Sequence, residues 1–196
     1  MKIRKLNRSF YSRPTLEVAR NLLGKYIVRP IRKSSISNGV KKIVTKRLEG
    51  KIIETEAYIG PKDRASHAFG GKITKRNLAE YLIGGHIYIY LVYGMYWQLN
   101  ISTGGKGKPE CVLIRALDLG KLASGPGKVC RFLKLDKSFY AEDLTKSKRI
   151  WLEDRSGLPE KIKPFQIMST KRIGIDYAGP YWSKIKWRFL LKSIKI

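Results

Sequence analysis

Two cysteines, two histidines and few acids are what this chain of 196 residues has least of, and each shortage removes a class of chemistry. Cys111 and Cys130 both stand in apolar stretches, Glu-Cys-Val-Leu-Ile and Lys-Val-Cys-Arg-Phe-Leu. Neither has a Cys or His neighbour at metal-ligand spacing, so a zinc centre is disfavoured and buried free thiols are expected. His67 and His86 do not form a pair one helical turn apart, which removes the usual two-histidine metal signature. No run approaches the ~20 apolar residues needed to span a bilayer. The basic start, Met-Lys-Ile-Arg-Lys-Leu-Asn-Arg, has no apolar run behind it and does not read as a secretory signal. A soluble, intracellular protein without metal is the expectation. Internal repeats, low-complexity tracts and interdomain linkers are also missing, so residues 1–196 are expected to form one domain.

What the chain does have is positive charge: 41 Lys and Arg against 15 Asp and Glu, a formal net charge of +26. Such an excess attracts polyanions, nucleic acid first and an anionic membrane second. Solvated lysines on every face give the same composition. With 43% hydrophobic residues the chain has enough apolar surface for a core.

The pattern predicts a first helix from Ser12 to Gly24, with Ser12 as cap, Pro14 in the first turn and one face of Leu16, Ala19, Leu22 and Leu23. Tyr26 to Val28 reads as a strand cut off by Pro30, and Ile31 to Arg47 as a basic loop or loose hairpin. Leu48–Tyr58, His86–Val92, Tyr96–Ser102 and Cys111–Ala116 read as strands, with Tyr93-Gly94-Met95 joining a hairpin. Gly60 to Leu82 is a long loop with room for a short helix. A helix over Lys128–Leu135 and late strands over Lys171–Ile175 and Trp187–Leu191 complete the outline, and Ser138–Asp154 is ambiguous. Strands outnumber helices without regular alternation. This favours an α+β fold on a mainly antiparallel, curved sheet with surrounding helices and a protruding β-hairpin.

In Glu54-Thr-Glu56-Ala-Tyr58, strand periodicity puts Glu54, Glu56 and Tyr58 on one face. A partly desolvated carboxylate there has a raised pKa and can act as a general base toward water. Taken alone, a solvated strand edge is the more ordinary reading. His67 sits in the long loop, where a surface histidine is the ordinary reading; His86 begins a strand in a structural role. Tyr88 and Tyr90 share a strand face, but Tyr93 at the hairpin link cannot easily share their core. An exposed aromatic on a cationic protein suits stacking on bases or wedging between base pairs. Arg115, in an apolar strand, calls for a partner, either a phosphate or a carboxylate such as Glu56. The Asn100 amide either reads a base edge or bonds to the sheet's backbone. Ser124-Gly-Pro-Gly-Lys128 either holds a phosphate or simply turns into a helix.

Taken in order, these segments resemble the alkyladenine (3-methyladenine or methylpurine) DNA glycosylase family. The likeness runs from Arg13-Pro14 to Trp187-Arg188-Phe189. It is most specific in Ile53-Glu54-Thr55-Glu56-Ala57-Tyr58-Ile59-Gly60, in His67-Ala-Phe-Gly-Gly with Thr74 and Arg76-Asn77, and in Tyr88-Ile-Tyr90-Leu-Val-Tyr93-Gly94-Met95-Tyr96 with Asn100-Ile-Ser. Val112-Leu-Ile-Arg115-Ala-Leu and Ser124-Gly-Pro-Gly-Lys128-Val-Cys follow. The resemblance implies a monofunctional repair enzyme that flips 3-methyladenine, hypoxanthine or ethenoadenine from double-stranded DNA, acting as a monomer without cofactor. It implies Glu56 as the base that activates water, helped by Arg115. Tyr58 stacks on one side of the flipped base and Tyr90 with His67 on the other, with Asn100 against the purine. Tyr93 fills the gap in the duplex, supported by Met95 and Tyr96, while Lys72, Arg76 and Lys128 meet phosphates. The chain departs from the family after Arg76-Asn77, where a Met-Phe pair and a Pro-Gly turn are replaced by Leu78-Ala-Glu80-Tyr81-Leu-Ile-Gly84-Gly85. It departs again in the basic loop Gly104–Pro109. The competing reading is a non-catalytic basic nucleic-acid-binding protein.

Overall fold

The computed structural model describes residues 3–37, 40–119, 122–155 and 166–192. Its centre is an antiparallel sheet in the order β1 (Arg4–Lys5), β8 (Trp151–Asp154), β2 (Tyr26–Ser37), β3 (Val40–Ile59), β6 (Glu110–Asp118), β5 (Tyr96–Ser102), β4 (Ile87–Val92). Strand β10 (Arg188–Leu191) pairs with β3 and with β9 (Ile167–Thr170), and β7 (Leu122–Ser124) pairs with β6. The sheet curls into a half-barrel, the α+β arrangement that the strand-rich pattern predicts. Short helices α1 (Arg8–Tyr11), α2 (Thr15–Leu22), α3 (Pro126–Leu133) and α4 (Pro180–Lys184) accompany it.

Alternation along the strands gives the sheet two faces. Ile87, Ile89, Leu99, Ile101, Val112, Ile114 and Ala57 point one way and join one core with Val18, Ala19 and Leu22 of α2 and Val129, Cys130 and Leu133 of α3. Thr55, on that same face, donates from its hydroxyl to the Ala19 carbonyl at 2.8 Å, tying α2 to β3. The other face carries the polar and aromatic positions of the same strands, and it holds the candidate site.

Several local expectations are corrected. Helix α2 begins at Thr15 with Pro14 as its cap, and Ser12 instead closes the one-turn helix α1. Proline fixes the entry backbone by its ring, so no side-chain cap is needed. Pro30 does not end β2: pairing with β8 stops at Val28, so Pro30 lies where only β3 flanks the strand, a place where a missing N–H is tolerated. Of the two readings of the basic segment, loop or loose hairpin, the hairpin holds: β2 and β3 pair as a regular two-stranded ribbon, and residues 38–39 fall outside the described residues. Residues 171–175 are irregular, and the late strand lies earlier, at Ile167–Thr170. The helix after Ser124-Gly125 opens at Pro126 rather than Lys128. The long loop from Gly60 holds two 3-10 turns, Phe69–Gly71 and Leu78–Tyr81. The ambiguous stretch resolves into a 3-10 turn, Lys137–Phe139, and strand β8.

Candidate active site

The strand register assembles the site. Arg188 of β10 stands opposite Glu56 of β3, Glu56 opposite Leu113 of β6, Leu113 opposite Asn100 of β5, and Asn100 opposite Tyr88 of β4. Residues directly opposite share a face, so these five form one row. Glu56 and Tyr88 are three strand spacings apart, roughly 14 Å. A second row beside it holds Tyr58 and Cys111.

Glu56 is wholly buried, which excludes the solvated strand edge. Oε1 accepts from the Ile173 backbone N–H at 2.9 Å. Oε2 accepts from the Tyr58 hydroxyl at 2.9 Å and from Arg115 Nη1 at 3.4 Å. Burial raises the carboxyl above its ordinary pKa, while Arg115, the Ile173 amide and the Tyr58 hydroxyl pull it back. Glu54 on the same face accepts from Arg115 Nε at 3.0 Å and from Arg188 Nε at 2.6 Å. The partner of Arg115 is therefore a pair of carboxylates. A β-bulge makes this possible: the β3–β6 register shifts between Ile52 and Thr55, and Arg115 has no opposite residue there.

A second wall is aromatic. The Tyr88 and Tyr90 rings lie 5.1 Å apart, and His67 packs edge-on to Tyr90 at 4.7 Å. Nδ1 of His67 lies 2.6 Å from the Tyr88 hydroxyl. As a residue His67 is exposed. Packing on its inner side, then the charge of Arg76, hold the imidazole below its usual pKa, so it is neutral at pH near 7. Asn100 is buried; its amide reaches the Gln98 carbonyl at 3.4 Å and its Oδ1 lies 3.9 Å from the Cys111 thiol. The amide thus bonds to the sheet's backbone.

At the tip of the β4–β5 hairpin Tyr93 is 86% exposed and Met95 63% exposed. Tyr93 has φ of +52°, unusual for a residue other than glycine, and Gly94 follows at +67°. Tyr96 differs from both. Its ring lies on Gly127 of α3, where an added Cβ would come within 3.1 Å of it, so it props the hairpin against that helix. The three cations expected at phosphates are all exposed. Arg76 lies 5.0 Å from the Tyr90 ring, and Lys72 and Lys128 form no ion pair among the described residues.

Arg172 and Asp63 are site-building residues that sequence reasoning passed over. Both side chains are fully buried, and Arg172 donates to Asp63 at 2.5 and 2.9 Å and to the Ala57 carbonyl at 3.0 Å. Its guanidinium lies 4.8 Å from the Tyr58 ring and 5.2 Å from that of Trp187. This clamp holds the 171–175 segment, and with it the Ile173 amide, against Glu56. One Arg among 41 basic residues carries no mark of its burial. His86 is structural as expected, with Nδ1 2.8 Å from the Ile83 carbonyl.

Both cysteines are free and buried. Among the described residues no group of three or more His, Cys, Asp and Glu is placed to hold a metal ion, and no helix is long and apolar enough to cross a membrane.

Residues 9–195 match the family model described as methylpurine-DNA glycosylase. The chain is 40% identical over 215 residues to a protein of Clostridium perfringens, and 37% identical over 198 residues to one of Borrelia garinii subsp. bavariensis. Both carry provisional names as 3-methyladenine DNA glycosylases, and each alignment covers 97% of both chains. A DNA-3-methyladenine glycosylase of Mus musculus is 36% identical over 214 residues, covering 96% of this chain and 60% of the mouse protein. A family model spanning nearly the whole chain, with relatives this similar along their length, places it in the methylpurine-DNA glycosylase family.

Proposed function

We propose that this protein is a monofunctional DNA glycosylase of base excision repair, which everts an alkylated or deaminated purine from duplex DNA and hydrolyses its bond to deoxyribose. The observation that carries the reading is Glu56. It is a wholly buried carboxylate whose donors are Ile173, Tyr58 and Arg115, on the same sheet face as the tyrosine wall. A protein that only bound nucleic acid would gain nothing from a buried acid beside a surface meant for phosphates.

In the reaction Glu56 accepts a proton from water as the water oxygen bonds to C1′ of the sugar. The N-glycosidic bond breaks and its electron pair leaves with the base: a cationic alkylated purine departs neutral, and a neutral purine departs as an anion that takes up a proton, balancing the one Glu56 gained. The products are the free base and an abasic deoxyribose in an otherwise intact strand. No lysine is needed as nucleophile. Arg115 opposes the effect of burial and favours the ionised form of Glu56. Tyr58 lies along one side of the everted base and Tyr90 with His67 along the other. Stacking between electron-rich rings favours a purine made cationic by alkylation, and such a base is already a good leaving group. Asn100 crowds the purine edge and disfavours a guanine 2-amino group.

Eversion costs a few kcal/mol, least for a damaged or mispaired base. Tyr93 enters the vacated stack from the hairpin tip and offsets part of that cost, with Met95 beside it and Tyr96 bracing from below. Lys72, Arg76 and Lys128 grip phosphates. The enzyme works inside the cell as a monomeric single domain on double-stranded DNA carrying 3-methyladenine, hypoxanthine or ethenoadenine.

The test is a labelled duplex with one hypoxanthine or ethenoadenine. The protein is expected to produce alkali-labile abasic sites, and Glu56→Gln to lose about a thousandfold or more of that activity while still binding the duplex. A wild-type protein that binds but leaves every base in place would establish the non-catalytic alternative.

A further inference from the structure

One buried acid has no part in this mechanism. Glu80 lies in the 3-10 turn Leu78–Tyr81, which packs on the site face of β4, β5 and β6, and it is 2% exposed. Its Oε1 accepts from the Cys111 thiol at 3.4 Å, and its buried Oε2 has no hydrogen-bond partner among the described residues. The same thiol lies 3.9 Å from Asn100 Oδ1, so Cys111 links Glu80 to Asn100, against which the everted base would rest. A buried polar atom without a partner costs free energy and calls for a reason.

We propose that Glu80 is a specificity-determining residue, which sets the preference between positively charged and neutral damaged purines from behind the Asn100–Tyr88 wall. The inference rests on the glycosylase reading of the site. Burial raises the Glu80 carboxyl to about 8, so near neutral pH it is mostly protonated. The titratable groups facing it are Cys111 on β6, Tyr88 and Tyr90 on β4, Tyr140 after the Lys137–Phe139 turn, and Tyr81 in its own turn. Burial raises all five, so all are neutral in this range. Arg76, over the Tyr90 ring, and the paired Arg172 and Asp63, which act on Cys111, are the charged groups on that side.

An alkylated purine brings a second cation to this wall. It stabilises ionised Glu80 and, by reciprocity, ionised Glu80 stabilises it. A neutral ethenoadenine gains nothing from that charge. The preference for cationic bases should therefore increase as pH rises through the Glu80 titration.

Excision of 3-methyladenine and of ethenoadenine from duplex DNA, each read as kcat/KM on one preparation, tests this from about pH 6.5 to about pH 9. The ratio of the two removes both the titration of Glu56 and any loss of folded enzyme. In the wild type this ratio should rise about tenfold, the effect of one unit charge several ångströms away in a partly desolvated site. In Glu80→Gln, which keeps the shape of the neutral acid, and in Glu80→Leu, the ratio should be independent of pH. A flat wild-type ratio, or a rise that persists in both variants, overturns the role of Glu80 while leaving the glycosylase reading intact. Failure to excise either base overturns both.

Discussion

The two ends of the β4–β5 hairpin use the same residue type in opposite ways. At its base Tyr88 is 1% exposed, bonded to His67 and packed against Tyr90. At its tip Tyr93 is 86% exposed, and no ring or guanidinium packs on it among the described residues. Packing holds the first ring, whereas the second is held out by backbone, through a positive φ at Tyr93 followed by Gly94. Such a conformation at a non-glycine residue costs about 1 kcal/mol or more, with no packing gain to offset it. Stability therefore sits at the base of the hairpin, and at its tip stability is given up to present a ring.

The largest effect that would break this contrast is on folding. Tyr88→Ala should destabilise the protein by about 3–5 kcal/mol, the usual range for removing a buried aromatic ring, seen as a clear fall in Tm. Tyr93→Ala should leave Tm almost unchanged and slow excision roughly ten- to a hundredfold, with binding of undamaged duplex retained. Base-eversion fluorescence and melting, measured on both variants, would separate the two ends. If Tyr93→Ala excises as fast as wild type, the tip is not a wedge.

Tyr58 sharpens the comparison, because its hydroxyl donates to Glu56 while its ring is assigned to the base in the proposed reaction. Burial raises Glu56 and the Tyr58 hydroxyl is one of the groups holding it back. Tyr58→Phe keeps the ring but removes that donor, so the Glu56 pKa moves further up. In the proposed reaction Glu56 must be ionised to accept a proton from water, so activity should be lost as pH falls through its pKa. The acid limb of the excision profile should therefore move to higher pH by up to about one unit. An unmoved limb would mean that this hydrogen bond does not reach the reacting state.

Strand period and turn chemistry made most of this fold legible. Leu48–Tyr58, Tyr96–Ser102 and the Tyr93 tip follow from alternation and a glycine, and Glu56 and Tyr58 share a face because strand alternation has no other solution. Sequence alone did not reveal what depends on distant neighbours. Pro30 is tolerated because β8 stops two residues earlier, a fact of topology. Glu56 reads as an ordinary edge residue until β10 and the 171–175 segment cover it. The Arg172–Asp63 clamp joins positions far apart in the chain, and neither residue type signals burial. Glu80 stood out only as a charge in place of an apolar residue; its unpartnered oxygen is visible only once the turn lies on the sheet.

The smallest expected effects lie outside both ends of the hairpin, among the solvated cations. Lys72 and Lys128 are exposed and enter no ion pair among the described residues, so replacing either leaves no buried partner behind and should not move Tm. If each meets one phosphate, Lys72→Ala and Lys128→Ala should each weaken binding of any duplex a few-fold and reduce the slope of log affinity against log salt by about one. The preference for a damaged base should stay the same, since a phosphate contact carries no information about the base. Arg76→Ala should reduce the slope similarly but also disturb the base wall, because its guanidinium lies over Tyr90. If the lysine variants keep the wild-type slope, the electrostatic grip lies elsewhere. The β2–β3 ribbon, with Arg32, Lys33, Lys41, Lys42 and Lys46 and no acid between Arg29 and Arg47, is then the next place to remove charge.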